Sequence, residues 1–125
     1  MKSVIPENIV GHLARGQGKT RVHLFYCKAF NVLLASFFGG RPHVGAASVA
    51  LDSFKKRFSG TVRLPGHHDD VVTKKALSIL ATDHRRLVVT LAGIHYDRVA
   101  APQIRSIVKN AEWLSRKLAT DILHS

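Results

Sequence analysis

At 125 residues, 46% hydrophobic and 22% charged, the chain has the size and balance of one globular domain and lies outside the disordered and fibrous classes. Nineteen Lys and Arg against eight Asp and Glu give a formal charge of +11, but the basic pairs are scattered, lack interleaved aromatics and carry no zinc-finger, KH or RRM signature. The expected partner is therefore a phosphorylated small molecule or an acidic protein surface rather than nucleic acid; with one cysteine, no signal-like start and no apolar run near the roughly 20 residues of a membrane span, the expected location is cytoplasmic.

Residues 1–18, with Pro6, Gly11, Gly16 and Gly18, read as a loose lead-in to a single domain over 19–125. Residues 20–27 (TRVHLFYC) alternate Val22, Leu24 and Tyr26 with Arg21 and His23, the period of a strand with one wetter face; Cys27 in this run reads as a buried thiol. Residues 31–38 (NVLLASFF) read as a buried strand ending at the turn-permitting Gly39-Gly40. Residues 44–51 form a third predicted strand, rich in small side chains. Residues 60–64 form a short fourth.

Asp69 and Asp70 precede a predicted helix over 71–82, where Val72, Ala76, Ile79 and Leu80 share one face and the carboxylates suit its positive end. Residues 86–92 (RLVVTLA) read as a central strand covered on both faces. The last helix is predicted over 102–123, with Pro102 in its first turn and a stripe of Ile104, Ile107, Val108, Ala111, Leu114, Leu118 and Ile122. The order is β-β-β-β-α-β-α. It implies an α+β fold: a mixed, largely antiparallel sheet of five or more strands packed with two helices.

The chemistry-bearing residues gather where predicted strands end, in residues 39–45 (GGRPHVG), 64–70 (LPGHHDD) and 92–97 (AGIHYD). Five of nine glycines, four of eight histidines and three of eight carboxylates fall there. The glycines Gly39, Gly40, Gly45, Gly66 and Gly93 let backbone amides approach an anion, and Arg41 can grip a phosphate or carboxylate with two donors. Taken singly, each segment has a bland reading: a hairpin turn, a helix cap with solvated histidines, a loop whose Asp97 caps nearby backbone. Together they point to one shared site, because ligands of mixed α/β sheets sit beyond strand ends. His43, His67, His95 and Asp97 are also metal-ligand types, but their spacing fits no metal motif. Nucleophile, P-loop and dinucleotide signatures are absent, so a binding protein is favoured over an enzyme, with general acid–base work by a histidine left open.

These three motifs in this order, followed by a terminal amphipathic helix, resemble the LpdD-like prenylated-flavin chaperone family over residues 20–123. The resemblance implies a fold similar to proteasome-assembly chaperones and a homodimer. It also implies a role: binding prenylated FMN, or FMN, and helping to deliver or mature it. The partners implied are a UbiD-type decarboxylase of aromatic acids such as gallate or protocatechuate, and a flavin prenyltransferase. Arg41 and the glycine amides are then assigned to the phosphate. His43, His67, His68, His95 and Asp97 are assigned to the flavin or to a bridging divalent metal, and Asp69 to the cofactor site. Two alternatives stay open: a small metal- or histidine-assisted enzyme maturing the flavin, and a non-catalytic decarboxylase subunit.

Overall fold

A computed structural model describes residues 9–41, 43–53, 56–65, 68–83 and 87–123. Six strands run in the order β1 (Ile9–Arg15), β2 (Val22–Ala29), β3 (Val32–Gly40), β4 (Ala46–Ser53), β5 (Lys56–Arg63) and β6 (Leu87–His95). Two helices, α1 (Asp70–Asp83) and α2 (Ala101–Leu118), flank β6 in the chain, and α2 closes in a wider turn at Ala119–Leu123. The α+β class and the two helices match the sequence reading. The strand count gains one: Ile9–Arg15, read as part of a loose lead-in, is edge strand β1, paired antiparallel with β2 from Ile9 opposite Lys28 to Arg15 opposite Val22. Strand β5 also starts earlier than residue 60, at Lys56.

In space the sheet runs β1-β2-β3-β6-β4-β5. Only the β3–β6 pairing is parallel; β4 returns antiparallel on the far side of β6. Both helices lie on one face. There Val22, Leu24, Leu33, Phe37, Val88 and Ala92 of the sheet join Val72, Ala76, Leu80, Ala111, Leu114 and Leu118 of the helices in one buried cluster. Removing side chains of this kind from water at about 25 cal/mol per Å² is the main force holding the layers together.

Inside that layer sits a polar relay. Thr61 and Ser48 hydroxyls lie 2.8 Å apart, Ser48 donates to Thr73 (2.8 Å), and Thr73 donates on to the Asp70 carbonyl (3.2 Å). Thr90 donates to the Thr73 carbonyl at 2.9 Å. Ser48, Thr73 and Thr90 are fully buried, so each hydroxyl needs its partner. The relay ties β4, β5 and β6 to the first turn of α1.

Among the described residues, no helix lies over the other face of the sheet. Register places Val10, Cys27, Leu34, Val89, Val49 and Gly60 in one row across all six strands, and His12, Phe25, Ser36, Leu91, Ala47 and Val62 in another. Neither row holds a Lys, Arg, Asp or Glu. Phe25, Phe58 and Val62 are 48%, 52% and 71% exposed. Cys27, read from sequence as buried, is only half-buried on this face.

Candidate functional site

Strand order explains the rim. β3 and β4 are consecutive in the chain but flank β6 in the sheet, so the connection carrying Arg41 and residues 43–45 arches over the end of β6, a gap of roughly 10 Å at two strand spacings. The Arg41 N–H donates to the His95 carbonyl (3.0 Å) and the Gly45 N–H to the Ala92 carbonyl (2.8 Å), pinning the arch at both feet. Between the feet, the backbone of His43 crosses directly over Gly93. A Cβ on Gly93 would overlap the His43 carbonyl and stand 3.1 Å from Val44 N. Gly93 is therefore glycine for close backbone approach. The backbone amides of Arg41 and Gly45 are engaged in the arch, which leaves the Arg41 guanidinium as the donor this loop presents to solvent.

Two carboxylates organise what the arch presents. Asp69 directly precedes α1, and its backbone carbonyl accepts from Val72 and Thr73 N–H groups at 3.1 Å. Its side chain turns away from the helix instead of capping it: Oδ1 accepts from the Ile94 N–H (3.0 Å) and Oδ2 lies 3.6 Å from His43 Nε2, with the group only 8% exposed. The other ring nitrogen of His43 is 3.2 Å from the Arg41 carbonyl. Asp97 is open to solvent and bridges two side chains: Oδ1 is 3.3 Å from His95 Nε2, and Oδ2 is 3.8 Å from Arg41 Nη2. The Lys19 ammonium donates to the Asp97 carbonyl at 2.6 Å. The His43 and His95 rings meet edge-on, 5.9 Å between centroids. An exposed pair such as Arg41–Asp97 contributes at most about 1 kcal/mol, so a doubly charged anion can take Arg41 from it.

Asp70 completes the neighbourhood from the helix side. Its carboxylate lies 3.7 Å from Arg63 Nη1 and 3.3 Å from Lys74 Nζ. Burial alone would raise its pKa, but the Lys74 hydrogen bond and the Arg63 and Lys74 charges outweigh it and hold the carboxyl below the usual range.

Beside this rim opens a cleft of about 290 Å³ between the end of β6 and the two helices. Val72, Ile94, Val99, Ile104, Ile107 and Val108 give it apolar walls, with His68, Asp69, His95 and Tyr96 completing the lining. Ligand pockets span roughly 300–1,000 Å³, which puts this cleft at the small end, with room for a ring system whose polar tail stays outside on the rim.

The predicted residues Gly39, Gly40, Arg41, His43, Gly45, Asp69, Gly93, His95 and Asp97 thus come to one end of the sheet, and His68 stands exposed beside the cleft. Gly66 and His67 lie outside the described residues. Sequence reasoning missed Lys19 and Tyr96, whose hydroxyl donates to the Arg21 carbonyl and whose ring packs against Gly39. It also missed the cleft walls, since Ile104, Ile107 and Val108 look like ordinary core stripe. Among the described residues, no three His, Cys, Asp or Glu side chains converge as a metal-holding group. Nor, among them, is any helix long and apolar enough to cross a membrane.

A family model described as the prenylated flavin chaperone LpdD-like domain matches residues 16–123. No curated protein matches the chain. Among solved structures, it is similar to a chain from a novel chaperone complex for yeast 20S proteasome assembly, with a TM-score of 0.54, 10% identity and 97% of each chain covered. At that identity the likeness concerns the fold alone.

Proposed function

The chain belongs to the LpdD-like prenylated flavin chaperone family, and from that premise we propose that it binds prenylated FMN at this rim and carries it to a UbiD-type decarboxylase, receiving it from a flavin prenyltransferase. The observation that carries the reading is the convergence of Arg41, His43, Asp69, His95 and Asp97 around an apolar cleft. A phosphate monoester carries close to two negative charges at neutral pH. The Asp69 carboxylate in the cleft repels that charge, which assigns the phosphate to Arg41 and Lys19 outside and the ring system to the apolar walls. His68, His95 and Tyr96 at the cleft then meet the polar ring edge. When bound, the flavin supplies the electron-sink chemistry of its enzyme; this chain binds, orients and shields it.

Titration of the purified protein with prenylated FMN tests the reading by absorbance. Saturable spectral change is expected, with affinity lowered about ten-fold or more in Arg41→Ala, the loss of one charge-assisted contact. An unchanged spectrum overturns it. The two histidine–carboxylate pairs favour a second reading, a histidine-assisted enzyme that matures the flavin. Conversion of many equivalents of reduced prenylated FMN by catalytic amounts of protein, abolished in His95→Ala, would select it.

The uncovered sheet face supports a homodimer in which two such faces pack together. Antiparallel sheets with one solvated face normally alternate apolar and polar residues; these rows are mostly apolar, with His12 and Ser36 the polar members, and hold no Lys, Arg, Asp or Glu in a chain of net charge +11. Val49→Lys is expected to yield monomers in sedimentation.

A further inference from the structure

We propose that the outer edge of β5 is a docking site for an acidic, extended segment of a partner protein, which adds as a seventh strand. β5 is eight residues long, exposed throughout, and lies at the end of the sheet, with no strand beyond it among the described residues. Its hydrogen-bonding register can be read from one contact. Leu64 N–H donates to the Gly45 carbonyl (2.8 Å), so in the antiparallel ladder Val62, Gly60 and Phe58 turn their backbone groups towards β4. The amides and carbonyls of Arg57, Ser59, Thr61 and Arg63 are thereby directed outwards, as a template for another strand.

The side chains of the same four residues point to the helix side, where Arg57, Ser59 and Thr61 line a groove of about 440 Å³ with Lys74 and Ser78 of α1. Its cations are only loosely neutralised. Arg57 is 3.9 Å from Asp52, Arg63 is 3.7 Å from Asp70, and Lys74 shares Asp70 at 3.3 Å. On the opposite side the edge shows Phe58 and Val62, both more than half exposed in one chain and at the border of the face assigned above to the homodimer. A strand added here therefore meets cations on one side and apolar surface on the other, which selects alternating acidic and apolar residues.

A second copy of this chain, paired in the fullest overlap, is a poor occupant. An antiparallel β5–β5 pair centred on Gly60 sets Arg57 opposite Arg63 twice, and like charges directly opposite are destabilising. The residues that block self-pairing are the ones that attract a carboxylate-bearing strand.

The test uses dye-labelled octapeptides and fluorescence anisotropy. An alternating Val-Glu octapeptide is expected to bind saturably, and a block peptide of four Val then four Glu about ten-fold more weakly at equal charge. Ser59→Pro removes one outward N–H and leaves the β4 ladder intact; it should cost a similar factor while prenylated FMN binding is unchanged. N-methylation of the peptide on the amides facing β5 should abolish binding, which keeps the test valid if the proline variant misfolds. Equal binding of both peptides, or indifference to N-methylation, overturns the proposal, as does an oligothymidylate of the same charge binding as tightly as the alternating peptide. Since flavin binding is read separately, loss of that reading leaves this one standing.

Discussion

Gly93→Ala puts the arch to a direct test. The added methyl carbon would overlap the His43 carbonyl, a backbone group with no rotamer to escape into. Carbon and oxygen need about 3.3 Å, so the arch must retreat by more than an ångström. Its two pinning bonds, Arg41 to His95 at 3.0 Å and Gly45 to Ala92 at 2.8 Å, cannot both follow. Losing them costs about 1 kcal/mol each. Strain from overpacking adds about 1–3 kcal/mol. The sum, about 3–5 kcal/mol, corresponds to a fall of roughly 10–20 °C in Tm for a domain of this size. Gly60→Ala is the control: nothing lies within 4 Å of its added Cβ, so its Tm should stay within a few degrees of the parent. Thermal melts followed by circular dichroism measure both. A Gly93→Ala protein that melts with the parent and still binds prenylated FMN would refute the account of the rim as an arch held by close backbone approach.

Asp69→Ala orphans the Ile94 N–H and should cost about 2–3 kcal/mol in urea unfolding, whereas Asp69→Asn keeps an acceptor there and should cost less. Asp70, held below the ordinary carboxylate value of 3.8, contributes stability that is complete above that pH and drains away as pH falls through its lower folded value; Lys74→Met should flatten this acid limb in melts taken from about pH 5 downwards. His23 titrates below its ordinary 6.5 because of burial first, then the Arg21 and His12 charges. The unfolded chain therefore takes up that proton before the folded one, and stability should fall as pH drops through 6.5, levelling off below the folded value. Removing the ring with His23→Gln should weaken that dependence.

Much of this fold is legible in composition and period. Strands β2 to β4 and β6, and both helices, sit where the apolar period puts them. β1 was hidden by Gly11, which reads as a loop signal but lies against the ring of Tyr26, where a Cβ would overlap the phenol. The beginning of β5 was hidden by Lys56 and Arg57, charges that an exposed edge tolerates. The rim was legible as a clustering of Gly and His, but not its mechanics. Which glycine yields to a crossing backbone, and that Asp69 serves Ile94 rather than its own helix, follow from the insertion of β6 between β3 and β4. No local pattern encodes that insertion, because it joins segments some fifty residues apart.

The same insertion orders events during folding. β1, β2 and β3 form a meander of neighbours, and β4 with β5 a hairpin, so both can form from local contacts. β6 has to enter between them to complete the sheet, and its long-range pairings carry the larger loop-closure entropy. Until it enters, the arch has nothing to span, Asp69 has no Ile94 amide to accept, and one wall of the cleft is missing. Binding competence thus arrives with the last strand, so a chain that holds its ligand has completed its sheet.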